Sequence, residues 1–423
     1  MPNIGSPYIF LIGVSVIVVL SYFYNLISKR TNIPTVLMLI TTGIILNQLM
    51  NYFEMGEINM MSILELLGIV GLIMIVLEAA LDLKLTKDKA PIIIKSMSVA
   101  LLELLATTAV LTYIVQFFTG ASIQQSIFYA MPMSILSSAI VIPSVGSLDE
   151  HKKEFLIYNS TFSDIFGIMF FYFYAGAVDA ESSSAMLANF GTNTLITILL
   201  SFVLSYALVW VFQKIESEVK LFLLIAVLVL LYALGKMLHL SSLLIILTFG
   251  LILNNRKVFF QGRLSRWIKP VAMRRVLVDF RLITIETAFV VRTFFFVVFG
   301  MTIVLSSLVS VKVFLVSVII LAAAYLIRFI FLFFIERKAA KTELWIAPRG
   351  LITILLYFAI PSEYQIEAFE SGILLYVILG TSIIMTWSLI SSKKTDIYDE
   401  LYDDEIARQE QEAIDQHTKD QSS

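Results

Sequence analysis

Runs of mainly apolar residues, each near the roughly 20 that a helix needs to cross a bilayer, alternate with short polar breaks along almost the whole chain. The pattern predicts thirteen helical spans, at approximately 7–27, 33–50, 61–81, 91–118, 122–147, 153–178, 186–212, 220–238, 240–254, 282–308, 311–335, 343–360 and 369–391. The first run, MPNIGSPYIFLIGVSVIVVL, lacks the charged n-region and small-residue cleavage site of a signal peptide, and reads as a span. From Lys393 onward the pattern stops. The acidic, polar residues 392–423 are too poor in apolar side chains for a core and are expected to form a solvated or partly helical cytoplasmic tail.

The basic residues test this count, because cytoplasmic loops carry them. The loops after spans 1, 3, 5, 7, 9 and 11 hold Lys29/Arg30, Lys84/Lys87/Lys89, Lys152/Lys153, Lys214/Lys220, eight residues from Arg256 to Arg281, and Arg337/Lys338/Lys341. The alternate loops hold essentially only Lys312. The alternation predicts a multi-pass protein of the cell membrane with its N-terminus outside and its C-terminus in the cytoplasm. The basic loop 255–281 also suits an amphipathic helix on an anionic inner leaflet.

Composition agrees with an all-α integral membrane protein: 59% of the residues are hydrophobic and 15% charged, against about 45–50% apolar in a soluble domain. A net charge of −2 argues against nucleic acid as a partner. With no cysteine, disulfides, thiolate metal sites and a cysteine nucleophile are excluded, and His151, His239 and His417 are too scattered for a metal cluster. No Ser-Lys pair or His/Glu metal set is spaced for intramembrane chemistry, so neither an enzyme nor a cofactor is expected. No repeated selectivity-filter stretch speaks for a channel.

Thirteen spans permit an internal symmetry. If 186–212 is a linker helix, repeat one (about 1–178) begins outside and repeat two (about 220–391) begins inside, giving inverted six-helix repeats with a site where broken helices meet. The fifth helix of each half carries the breakers: Pro132 and Pro143 around SILSSAIVIP, and Pro348, Gly350 and Pro361 in APRGLITILLYFAIP.

Ionisable residues at membrane depth are costly and mark function by default. Here they are Glu103, Asp164, Glu286, Arg292, Arg328 and Arg349. At about 1.5 Å rise per residue, Asp164, Arg328 and the Ser137/Ser138 break reach similar depths. Asp164 can bind either a small cation or a proton, and Ser163, Ser137, Ser138 and carbonyls freed at a helix break supply the oxygen ligands a hard cation wants. The competing reading makes Asp164 a structural ion-pair or serine-network member, Arg328 its neutraliser, Arg349 a packing residue, and Glu103 with Arg292 a pair that holds the bundle. Glu65 and Glu78 lie near span ends and are expected to be solvated.

At these residues the chain resembles the cation/proton antiporter superfamily, over nearly all of spans 1–13. LEAALDLKL (77–85) is similar to the family's F-E-x-G-L-x-L-x-L, SILSSAIVIP (134–143) to its first crossing helix, and TFFFVVFGM (293–301) to its FF-x-x-x-G helix. AAAYLIRFI (322–330) is similar to its A-R-x-L helix, and APRGLITILL (347–356) to its second crossing helix. The family signature places a Glu five residues before the ion-binding Asp, with Asn or Asp immediately before that Asp. Asp164 matches the ion-binding residue, but Ser163 precedes it and Asn159 stands where the helix-tethering Glu belongs. The crossing helix usually reads T-D-P or S-S-T, which Ser137 and Ser138 match in part.

The resemblance implies a secondary transporter that exchanges Na⁺, K⁺ or Li⁺ for H⁺ by alternating access. Asp164 would bind cation and proton competitively, with Ser163, Ser137 and Ser138 beside it and Asn159, Arg328, Arg349 and Glu103 in support. It also implies a homodimer with a dimerisation and a transport region. One titratable group in the Ser-Asp pair favours one cation per proton, and without the usual Glu, Arg328 is expected to lean on Asp164. The alternative is a membrane sensor or scaffold that keeps this fold without exchange.

Overall fold

A computed structural model of the chain describes residues 7–31, 33–53, 60–86, 88–178, 183–212, 220–237, 242–260, 270–303, 309–336 and 341–391. The described residues are helices and short connections, with no strand among them. The helices are α1 (Pro7–Thr31), α2 (Thr35–Tyr52), α3 (Met60–Asp82), α4 (Ala90–Thr119), α5 (Ile123–Ser134), α6 (Ser138–Ser144), α7 (Glu150–Ala177) and α8 (Ser183–Phe212). They continue with α9 (Lys220–Met237), α10 (Ser242–Asn254), α11 (Arg256–Phe259), α12 (Pro270–Thr302), α13 (Val311–Glu336), α14 (Lys341–Trp345), α15 (Leu351–Phe358) and α16 (Gly372–Ser391). Among the described residues, seven helical stretches are long and apolar enough to cross a membrane. The acidic tail 392–423 and residues 261–269 of the basic loop lie outside the described residues.

Local chemistry sets several boundaries. Ser122 and Gln125 form a reciprocal capping box at the start of α5, satisfying two backbone donors that a helix N-terminus leaves bare. Asp149 does the same for α7 by accepting from the amides of His151 and Lys152 at 3.0 and 3.1 Å. Burial raises its carboxyl pKa, but these amides and the Lys152 ammonium outweigh that and hold it below the usual value. Helix α12 starts at Pro270, well before the expected 282, so part of the basic stretch is already helical; a proline loses nothing in a first turn, where its missing N–H would be unsatisfied anyway.

The helices sort into two groups by packing. Helices α1, α2, α3, α8, α9, α10 and α12 pack chiefly on one another, and α4, α5, α6, α7, α13, α14 and α15 form the second group. In a bilayer, apolar burial gives no drive to helix association, so close backbone approach must supply dispersion contact instead. The α2–α12 contact shows it: a Cβ on Gly43 would lie 2.1 Å from the Val297 carbonyl oxygen, and one on Gly300 would lie 2.3 Å from that of Ile40. The run TFFFVVFG serves packing here, with Phe295, Phe296 and Phe299 all buried.

Candidate functional site

Two helices of the second group are interrupted in the middle. The first breaks at residues 135–137, between α5 and α6; Pro132 lies just before the gap, in the last turn of α5, and Pro143 lies within α6. The second breaks at residues 346–350, between α14 and α15, and contains Pro348 and Gly350. The breaks touch. The Ser137 amide donates to the Pro348 carbonyl at 2.8 Å, and a Cβ on Gly350 would lie 2.7 Å from Ser137 Oγ. Glycine at 350 is what lets the two segments cross this closely.

Each break exposes helix ends whose backbone groups need partners away from water. At the first, Asp164 Oδ2 accepts from the Ser138 amide at 3.0 Å, so the carboxylate caps the N-terminus of α6. Ser163 Oγ accepts from the Leu136 amide at 2.9 Å. At the ends that expose carbonyls the partners are guanidinium groups. Arg349 Nε donates to Met133 O at 3.1 Å in the last turn of α5, and its Nη1 donates to Ala347 O at 2.6 Å. Arg328 donates through Nε and Nη2 to the carbonyls of Glu343, Leu344 and Ile346, at the end of α14. The amide of Arg349 is held by Thr381 Oγ1 of α16 at 3.0 Å.

Asp164, Ser163, Ser137 and Ser138 are therefore brought together, all buried. Two atoms here have no hydrogen-bond partner among the described residues, Asp164 Oδ1 and Ser137 Oγ. Both are oxygens of the kind a hard cation accepts. Asp164 also opens onto a small cavity of about 20 Å³, otherwise apolar, walled by Ile75, Val76 and Ala79 of α3, by Leu243, Leu244 and Leu247 of α10, by Ile352 of α15 and by neighbours of Asp164 on α7. It thus sits where the second helix group faces α3 and α10 of the first.

The charged neighbours are not paired as the sequence suggests. The expectation that Arg328 leans on Asp164 is overturned: its Nη1 donates to Glu103 Oε2 and Oε1 at 2.9 and 3.1 Å and to Asn159 Oδ1 at 3.3 Å. Glu103 comes from α4, so the carboxylate missing from position 159 reaches the same guanidinium from another helix, and Asn159 keeps a neutral contact to it. The pairing of Glu103 with Arg292 is overturned too. Arg292 Nη2 lies 3.3 Å from Glu78 Oε1. Glu78 is mostly shielded rather than solvated, at 16% side-chain exposure. The side chain of Glu65 lies outside the described residues, and Glu286 is exposed on α12.

A second cavity, of about 230 Å³, lies between α1, α2, α3, α6 and α12. Its lining includes Ser28, Pro34 and Pro143, and also Ser138, whose amide donates to Asp164. Ile75 and Ala79 line both cavities. The larger one is roomy enough for an ion with its water shell, whereas the smaller one has room for about one water.

An all-α membrane protein with two crossed, interrupted helices and a buried carboxylate at their crossing belongs to the class of secondary transporters. The profile of the family described as "Sodium/hydrogen exchanger, transmembrane" matches residues 15–391, and the chain belongs to that family, whose members exchange a cation for a proton. Two solved structures of the sodium proton antiporter MjNhaP1 from Methanocaldococcus jannaschii share its fold. One, determined at pH 8, superposes with a TM-score of 0.67 at 20% identity, covering 90% of this chain and 94% of the other. The second, an electron-microscopy map, gives 0.65 at 18% identity, covering 91% and 95%. No curated protein matches the chain significantly in sequence.

Proposed function

We propose that the protein exchanges a monovalent cation, Na⁺, K⁺ or Li⁺, for a proton by alternating access, and that Asp164 holds the two in turn. The observation that carries this reading is the state of the Asp164 carboxylate. One oxygen is committed to capping α6, and the other is buried with no hydrogen-bond partner among the described residues, as is Ser137 Oγ of the same break. A proton satisfies that oxygen alone; a cation satisfies it together with Ser137, Ser163 and carbonyls freed at the break. Because one carboxylate serves both, binding is competitive, and a site that reorients only when occupied exchanges one cation for one proton.

The position of Asp164 between the two helix groups supports the motion. Helices α4–α7 and α13–α16 act as the transport region, and sliding against α3 and α10 carries Asp164 from one face to the other. The remaining helices form the dimerisation region of a homodimer. Thirteen passes in two inverted repeats, about 1–178 and 220–391 around the linker helix near 186–212, place the N-terminus outside and the tail in the cytoplasm. The 230 Å³ cavity then opens to the cytoplasm. The alternative of a sensor or scaffold rests on the Glu missing from position 159, and the carboxylate that Glu103 brings to Arg328 instead weighs against it.

Everted vesicles test the reading. Adding Na⁺, K⁺ or Li⁺ is expected to dissipate an imposed ΔpH, and Asp164→Ala to abolish the response. If none of the three ions acts on the wild-type protein, exchange is refuted; if Asp164→Ala exchanges normally, the site is.

A further inference from the structure

The larger cavity carries two charged groups among its lining residues, Glu78 from α3 and Arg292 from α12. We infer that Arg292 is an affinity-setting residue of the exchanger: by pairing with Glu78 it acts as a built-in competitor of the cation and sets the apparent affinity on that face. The inference rests on the antiporter reading above.

The comparison between two ion pairs of the same molecule carries the argument. Arg328 meets both oxygens of Glu103 at 2.9 and 3.1 Å, spends its other nitrogens on carbonyls, and has side-chain exposures of 1% and 2% with its partner. Such a pair is costly to open, because opening strands a buried charge. Arg292 reaches Glu78 through a single nitrogen at 3.3 Å, with exposures of 20% and 16% on the wall of a cavity roomy enough for water. A long pair that is partly exposed on a cavity wall is cheaper to exchange than a bidentate one buried to 1–2% exposure. Glu78 is therefore the carboxylate a cation can win, and Arg292 is what it must displace.

Position makes the exchange consequential. Glu78 adjoins Ala79, which with Ile75 lines both the larger cavity and the small one at Asp164 and so stands as a partition between them. An arriving ion meets the pair before the step at which it sheds its water. With Arg292 in place the wall is neutral and pulls no cation; with Arg292 displaced, Glu78 holds the ion beside the partition. Next to Arg292, Thr293 Oγ1 and Ser21 Oγ are 2.6 Å apart, which fastens α1 to α12 and holds the guanidinium's helix in register.

The experiment measures exchange rate against Na⁺ concentration in everted vesicles. Arg292→Gln is expected to lower the apparent KM about five-fold, with maximal rate changed less than about two-fold, the scale of losing one partly exposed pair. Glu78→Gln is expected to raise KM, because it removes the carboxylate and leaves the Arg292 charge facing the ion, and the double variant to fall between Glu78→Gln and Arg292→Gln. Arg292→Lys keeps the charge and is expected to restore most of the wild-type KM. An unchanged or raised KM in Arg292→Gln overturns the inference.

A readout that needs no turnover uses the absence of cysteine from the chain. Asn25→Cys places one thiol on the cavity wall, to be labelled with a membrane-impermeant maleimide. Na⁺ but not choline is expected to protect it, at about five-fold lower concentration when Arg292→Gln is added. An unshifted protection midpoint overturns the inference even if the variant turns over poorly. A wild-type protein that exchanges no ion refutes the antiporter reading instead.

Discussion

The two interruptions pose one physical problem and solve it with opposite charges. At the α5–α6 break the free amides of α6 are met by a carboxylate, Asp164; the carbonyls ending α5 and α14 are met by guanidinium groups, Arg349 and Arg328. The helix macrodipole dictates the signs, since its N-terminus attracts anions and its C-terminus cations. The difference lies in what is left over. The charge of Arg328 is closed by Glu103, so this guanidinium is a finished structural joint. Asp164 keeps an unshared oxygen at membrane depth. A transporter needs that asymmetry: a rigid crossing on one side of the charge balance, and on the other a carboxylate that is complete only with an ion or a proton.

The comparison breaks most sharply at Asp164. Asp164→Asn keeps an oxygen to cap α6 and removes the titratable charge. Exchange is expected to vanish while the detergent-solubilised protein elutes as wild type in size-exclusion chromatography, and retained exchange would place the site elsewhere.

Next in size is the joint at Arg328. Glu103→Gln strands a buried guanidinium and is expected to cost about 3–5 kcal/mol, read as a lowered Tm in detergent. Adding Asn159→Glu returns a carboxylate from α7 and is expected to recover much of the loss, whereas Asn159→Glu beside an intact Glu103 buries a second acid against one Arg328 and destabilises. A double variant no more stable than Glu103→Gln would mean that the two positions do not serve one guanidinium.

Gly350→Ala tests the crossing itself. Its Cβ would come within 2.7 Å of Ser137 Oγ and 2.8 Å of Ile140 Cδ1, so the breaks must part, at roughly 1–3 kcal/mol and with slowed exchange. Wild-type stability and rate together would show that the crossing is looser than it looks.

The smallest effect is at a cap outside the membrane. Asp149→Ala is expected to cost about 1 kcal/mol of stability, without loss of cation affinity. Asp149 is held below its ordinary pKa in the folded protein. Its contribution is therefore full above the unfolded carboxylate value of about 4 and fades as pH falls through the lower folded value. The gap in Tm between wild type and Asp149→Ala should narrow as the pH drops toward that range, and a gap constant from pH 7 to pH 3 contradicts it.

What was legible in the sequence is what is written along one helix at a time. Apolar runs set by bilayer thickness, the prolines and glycine of the crossing stretches, and a lone acid beside serines are local facts, and they pointed to an all-helical membrane chain, to both breaks and to the Ser137–Ser138–Asp164 cluster. Counting residues also ranks charges by depth. It leaves their azimuth around each helix open, and every helix turns about 100° per residue, so charges at equal depth need not face each other. Arg328 and Glu103, 225 positions apart, and Arg292 and Glu78, 214 apart, became partners only through the packing of α4 on α13 and of α3 on α12. The sequence by itself determined that a charge-bearing crossing lies within the membrane; the tertiary structure decided which charges are spent on holding it together and which carboxylate keeps an oxygen without a partner, because ion pairing depends on distance in space and the chain records only distance along itself.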